Sequence, residues 1–448
     1  MKLFLIGCCS MMMVQTSAQF TVSANSRYLL KDGQPFFWLG DTGWELFHRL
    51  NTVEAAMYFK RRSEQGFTVV QAVVLAELDG LHTPNTNGDI PLMNDDPARP
   101  NEKYFNFIDS VIDLAAGFNI SIALLPTWGD KVFKNTWGTG PEIFSEQNAA
   151  VYAQWLANRY KDKKNIIWVL GGDRNPRNEH DVKIWRAMGR SIKKATGGRA
   201  VIGFHPQPNN TGSAEWFHND DWLSFNMFQT GHCRDAAVYD RMQSAYRLKP
   251  VKPVMDAEPI YEDHPVCFNV KELGTSNSLD VRRAAYLDLF AGAFGHTYGC
   301  HGIWQMYAPG RIPVNAPGKY WYDAMELPGA NQLKYLRTLM EAFPVKERMP
   351  DQTIITTPNT VAAERIQATR GTDYLMVYTT TGNSFTVNMG KITGSTLKGF
   401  WHNPRNGEKT TVAPVANKGS KKFSPPTNGY GNDWVLVLFN QDSPFEKQ

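Results

Sequence analysis

Between residues 36 and 306 the chain runs through short apolar segments, each followed by a stretch with helical spacing. The segments fall at 36–40, 68–74, 120–125, 166–173, 200–204, 222–228, 251–258 and 302–306. They are near-continuously apolar rather than alternating, the pattern of strands buried on both faces of a parallel sheet. The spacers carry helix signals. Asn51 or Thr52 starts a helix over 52–65 with Gly66 as its stop, and Ser145 caps a helix to about residue 160. Further helices are expected over 102–116, 181–195, 236–248, 279–294 and 332–342. Strand and helix alternating eight times is the count of a (β/α)8 TIM barrel, and 448 residues hold such a barrel and a smaller partner. A hairpin over 27–35, turning at Lys31-Asp32-Gly33, precedes the first strand.

From about residue 351 the composition changes to short β-rich pieces at 360–366, 374–379, 384–388, 397–401 and 434–439, punctuated by Gly, Asn and Pro. These predict a small C-terminal β-sandwich. The fold class is therefore α/β, with a signal peptide over 1–18, a barrel over 19–349 and a sandwich over 350–448. The signal reading rests on Lys2, the short apolar stretch from Leu3 to Val14, and Thr16-Ser17-Ala18 ahead of Gln19. That stretch is too short to cross a bilayer, and no later one is long and apolar enough to span. Leu5-Ile6-Gly7-Cys8 also matches a lipoprotein cleavage box, but few residues precede it, so simple export to the periplasm or the exterior is the expectation.

Outside the signal three cysteines remain, Cys233, Cys267 and Cys300. One bridge is compatible with export, and spacing does not choose the pair. The net charge of +4 comes from 47 basic and 43 acidic residues without a Lys/Arg block, so nucleic acid is not an expected partner. No CxxC, HxH or HExxH pattern occurs, so neither a metal site nor a cofactor is expected. Nothing in the sequence constrains the oligomeric state. Aromatic content of 12%, with 13 Trp, suits stacking on sugar faces as well as a large core.

In such a barrel the strand C-termini converge on one mouth, where active sites are built. Two carboxylates close apolar runs there: Asp173, after Gly171-Gly172, and Glu258, after Met255-Asp256-Ala257. A facing carboxyl pair can cleave a glycosidic bond, one group as acid and the other as nucleophile. The glycines give the backbone room for an unusual turn before Asp173. Arg174 would keep Asp173 ionised, although adjacent side chains usually point apart. Strand alternation puts Asp256 and Glu258 on one side, with Tyr261 near enough to orient Glu258. The other strand ends offer polar and aromatic groups for a carbohydrate: Asp41 and Trp44, Glu77, Trp128 and Asp130, His205, Asn226, Gln229 and His232, and Trp304 and Gln305. The long 79–101 connection is placed to shape the opening. The partner implied is an oligo- or polysaccharide. A carbohydrate-binding barrel without turnover, an endo-glycanase of cellulase-like type and a metal-dependent barrel hydrolase are the alternatives.

Four segments carry a family resemblance: Leu39-Gly40-Asp41-Thr42-Gly43-Trp44, Leu170-Gly171-Gly172-Asp173, Glu258-Pro259-Ile260-Tyr261-Glu262, and Phe400-Trp401-His402-Asn403-Pro404-Arg405-Asn406-Gly407. Together with Gly431-Asn432-Asp433-Trp434-Val435-Leu436 they resemble the apiosidase-like glycoside hydrolases, family 140. The resemblance implies a (β/α)8 catalytic barrel with a C-terminal domain labelled collagen-binding. It also implies a retaining glycosidase acting on pectic side chains, with apiose as the characterised sugar. It would make Asp173 the general acid/base and Glu258 the nucleophile. Retaining barrels of the wider clan end the fourth strand in Asn-Glu, where Gly172-Asp173 stands here. Nothing in the tail's residues points to a collagen triple helix. It is expected to pack on the barrel, with Trp401 or Tyr430 as the sugar-binding alternative.

Overall fold

The computed structural model describes residues 20–135, 137–359 and 361–447, so the expected signal over 1–18 lies outside the described residues. The barrel strands are β1 (Trp38–Thr42), β2 (Val69–Leu75), β3 (Ser121–Thr127), β4 (Ile166–Gly171), β5 (Ile202–His205), β6 (Asn226–Phe228), β7 (Val254–Asp256) and β8 (Gly295–Tyr298). All are parallel, in the order β5-β4-β3-β2-β1-β8-β7-β6. At the remaining seam the Ser224 N–H donates to the Ile202 carbonyl at 2.8 Å.

Every strand residue is buried, because side chains alternate between two apolar environments. Val69, Val73, Ala123, Leu125, Ile167, Val169, Met227 and Met255 fill the barrel axis. Leu39, Val70, Val74, Leu124, Leu170 and Phe204 belong to the cluster shared with the surrounding helices. A small N-terminal antiparallel sheet (Phe20–Val22, Leu29–Lys31, Gln34–Phe36) adds Phe20 and Leu29 to the axial cluster. Its tight turn at Asp32 and Gly33 has φ of 52° and 78°, as a two-residue hairpin requires.

The helices follow their caps. Asn51 and Ser145 each close a reciprocal capping box, on Thr52–Glu64 and Glu146–Tyr160. Between β5 and β6 only the short Ala214–Phe217 helix forms. The eighth strand is not the expected 302–306 segment, where His301–Trp304 is a helical turn. It is Gly295-His296-Thr297-Tyr298, whose polar groups are used inside the protein. His296 Nδ1 lies 2.9 Å from Asp288 Oδ2, Trp38 Nε1 donates to Thr297 Oγ1 at 3.0 Å, and Tyr298 Oη donates to Glu262 at 2.7 Å. The long 79–101 connection folds on itself, with an isolated bridge between Leu92 and Pro100 and a His82 contact to both Asp79 and Asp95.

The tail forms a six-stranded antiparallel sheet facing a two-stranded one (Phe385–Asn388, Ser420–Phe423). Between them lie Leu375, Val377, Phe385, Val387, Trp401, Phe423, Leu436 and Leu438, the core of the sandwich. The expected strand at 360–366 is displaced: Ala362–Glu364 is a 3-10 turn and the strand is Ile366–Arg370. Among the described residues no helix is long and apolar enough to cross a membrane.

Candidate active site

Asp173 is delivered by a run of three left-handed residues, Gly171 (φ 84°), Gly172 (φ 115°) and Asp173 (φ 49°). A Cβ on Gly171 would sit 2.3 Å from the His205 carbonyl oxygen, and one on Gly172 would sit 2.7 Å from the Trp128 ring. Only glycine fits this passage between the ends of β3 and β5. Backbone bonds pin it there: Gly172 N–H to the His205 carbonyl (2.8 Å) and Gly129 N–H to the Gly172 carbonyl (3.1 Å).

His205 stands between the Asp173 backbone and the Glu258 carboxyl. Its Nδ1 accepts the Asp173 backbone N–H at 3.3 Å. The ring proton therefore resides on Nε2, which lies 3.1 Å from Glu258 Oε2, off the ideal line of a hydrogen bond. On the other side His232 Nε2 is 3.5 Å from Glu258 Oε1. Glu258 lies just past β7, its backbone N–H capped by Asp256 Oδ1 at 3.2 Å. The expectation that Asp256 and Glu258 share one side fails because β7 ends at Asp256. Asp256 stays buried on Thr230, while the chain turns and carries Glu258 into the mouth. Tyr261, buried beside the pair, accepts the Trp44 indole N–H at 3.1 Å, and burial and then the charge of Glu258 raise its hydroxyl well above the usual range.

The two carboxyls are pushed in opposite directions. Burial first, and then the charge of Glu258, raise Asp173 to about 6, against Arg174, His205 and the Trp137 indole N–H. Burial also pushes Glu258 upward, but its contacts with His205 and His232 prevail and hold it at about 2. Near neutral pH such a pair offers one carboxyl poised to give a proton and one carboxylate. Arg174 does not point away. Its Nη1 donates to the Asp173 carbonyl at 2.6 Å and lies 3.2 Å from Oδ2, so its pull is real but outweighed.

Trp44 and Trp128 stand beside the pair, their rings 5.0 Å apart and 5.3 and 6.1 Å from the His205 ring. Trp304 joins the same apolar cluster, its indole N–H donating to His301 at 3.3 Å. Glu77, past β2, is held well above its usual range by burial and then by the charges of Asp173 and Asp130. Its segment is fastened by the Leu78 N–H donating to Glu45 (3.1 Å) and Lys131 Nζ donating to the Ala76 carbonyl (2.7 Å). Gln229 is buried just past β6, with Oε1 free of protein partners.

Four of the expected sugar ligands are used for structure instead. Asp41 faces outward from β1 and takes Arg62 (2.5 Å) and Tyr58 (2.6 Å) from the Thr52–Glu64 helix. Asp130 is buried against Lys131 (2.8 Å) and the Gly140 N–H (2.8 Å). Asn226 is bonded to His218 (3.1 Å), and Gln305 ties the His301 carbonyl to Val314. Sequence reasoning missed His264, stacked 4.2 Å from His232, and Trp137, which touches Asp173. A lone Trp in the glycine-rich Trp137-Gly138-Thr139-Gly140 loop was the available signal for the latter.

The loops after β6 and β7 are tied by a Cys233–Cys267 disulfide, while Cys300 is buried and free. The Cys267 N–H donates to the His232 carbonyl at 2.8 Å, so this tie holds the imidazole beside Glu258. Among the described residues no three His, Cys, Asp or Glu side chains are grouped as a metal ion needs.

Known structures share this architecture. A glycoside hydrolase family 5 protein from Bacteroides vulgatus ATCC 8482 is 34% identical, with a TM-score of 0.88 over 95% of this chain and 94% of that one. A second glycoside hydrolase is 36% identical, with a TM-score of 0.87 over 95% and 98%. Among curated proteins no sequence matches. Barrel and likeness define the class as glycoside hydrolase. More narrowly, residues 23–347 match the model described as "Apiosidase-like, catalytic domain", and the chain belongs to that family. Residues 349–439 match a model described as "Putative collagen-binding domain of a collagenase".

Proposed function

We propose that the protein is an exported retaining glycosidase that removes sugars from pectic glycans, with apiose as the leading candidate. Asp173 protonates the leaving oxygen while Glu258 attacks the anomeric carbon. Asp173 then takes a proton from the water that releases the sugar. The observation that carries this reading is the opposed electrostatics of the pair: Asp173 raised, Glu258 lowered, with one histidine touching both. Retention requires the carboxyls to be about 5–5.5 Å apart, the spacing at which the second carboxylate attacks directly and leaves no room for an intervening water. Export is supported by the leader-like N-terminus and by the Cys233–Cys267 disulfide, a bond that persists in oxidising compartments.

Purified protein screened against pectic oligosaccharides should release a single sugar. Proton NMR of the first-formed product should show the substrate's anomeric configuration. An inverted anomer would remove Glu258 from the nucleophile role. Glu258→Gln should abolish turnover while leaving the unfolding transition intact, and a fully active variant would end the assignment.

A further inference from the structure

Trp137 sits in the loop between β3 and the Glu146–Tyr160 helix and is 47% exposed. It is nevertheless fixed in orientation. The indole N–H donates to Asp173 Oδ2 at 3.0 Å, and the Arg174 guanidinium stacks 4.7 Å from the ring centroid. Arg174 is itself buried and anchored, donating to the carbonyls of Phe133 (3.0 Å) and Lys134 (3.2 Å). An exposed indole held by a carboxylate at its edge and a buried cation at its face is a built surface, unlike a solitary apolar side chain adrift in solvent.

An acid that protonates a glycosidic oxygen stands on the leaving-group side of the bond, because that oxygen departs with the leaving group. Whatever is attached to the acid and open to solvent borders the leaving group. We propose that Trp137 forms the leaving-group subsite, stacking its open surface on a sugar ring, and that its indole N–H positions the Asp173 carboxyl beneath the glycosidic oxygen. The substrate class is then a di- or oligosaccharide, not a glycoside of a small alcohol. This rests on the reading of Asp173 as the acid. The charged and titratable groups facing Asp173 are Glu258 beyond β7, His205 at the end of β5, Glu77 beyond β2, and its own neighbour Arg174.

The test compares the sugar-linked substrate found in the pectic screen with the glycosyl fluoride of the same sugar, whose leaving group has no ring. Trp137→Ala should raise KM for the sugar-linked substrate about tenfold, and for the fluoride much less. Trp137→Phe keeps a ring but removes the donor that favours the Asp173 carboxylate. Its KM should stay near native while the basic limb of its kcat/KM profile moves to higher pH. Equal penalties on both substrates, or an unmoved limb, would overturn the subsite. Asp173→Asn separates the two readings. If it spares the sugar-linked substrate, or if the screen finds no turnover, acid and subsite fall together. If it abolishes turnover while both Trp137 variants behave as native, the subsite alone falls.

Discussion

His205 acts on both carboxyls. Its Nδ1 is occupied by the Asp173 backbone N–H, which directs the ring proton toward Glu258. The native kcat/KM should fall as pH rises past about 6, where Asp173 loses the proton it must donate, and should persist well into acid because Glu258 stays ionised. His205→Ala removes an interaction that holds both carboxyls down. Burial then meets less opposition at both, both limbs move to higher pH, and kcat/KM drops by about a hundredfold. Limbs that stay in place would show that His205 does not tune the pair. At this scale the sequence was informative where a residue stood at the very end of a strand or just past it. Asp173, Glu258, Trp44, Trp128 and His205 gather as a strand end dictates. Asp41 carried the same signature but lies within β1, where one residue of register decides between mouth and helix. Trp137 belongs to a loop, and loops have no period to read.

The end of β4 is the element on which the acid depends. Gly172→Ala would place a methyl group against the Trp128 ring at a φ of 115°, which an L side chain rarely adopts. The expected cost is about 1–3 kcal/mol in urea denaturation. The larger loss should be in kcat, because relief of the clash displaces Asp173. A variant with native kcat would mean that the turn does not aim the acid. Elements with local chemistry were legible along the chain. Asn51 and Ser145 announced their helices through caps that need no tertiary information. β8 was not legible, since Gly295, His296, Thr297 and Tyr298 form no apolar run and are buried only because Asp288, Trp38 and Glu262 receive them. Lys409–Ala416 and Ser420–Phe423 escaped for a different reason, as largely exposed strands with no buried apolar run.

The molecule as a whole is joined through the six-stranded sheet, which has no solvent face at its centre. Tyr374, Met376, Tyr378, Val435, Val437 and Phe439 pack with the barrel helices, while the alternate residues Leu375, Val377, Leu436 and Leu438 fill the sandwich. Tyr378 stacks on Tyr286 at 4.8 Å and 14°. Trp401 is enclosed in the sandwich core, while Tyr430 is exposed and accepts a bond from the barrel's Asn277 at 3.2 Å. A buried ion pair crosses the join, with Arg282 donating to Asp433 at 2.8 and 3.1 Å and Tyr378 Oη adding a bond at 3.1 Å. The two ends of this pair are not equivalent. Without Arg282, Asp433 still has Tyr378 and an Arg405 guanidinium 3.6 Å away. Without Asp433, Arg282 keeps Gln332 and, among the described residues, is left as a buried cation with no counter-charge. Asp433→Ala should therefore cost about 3–5 kcal/mol and Arg282→Met clearly less, whereas Arg282→Met/Asp433→Leu should recover much of the loss by removing both charges. Urea unfolding of the three variants checks the order. Equal penalties for the two single changes would mean that Tyr378 and Arg405 do not compensate Asp433 for the loss of Arg282.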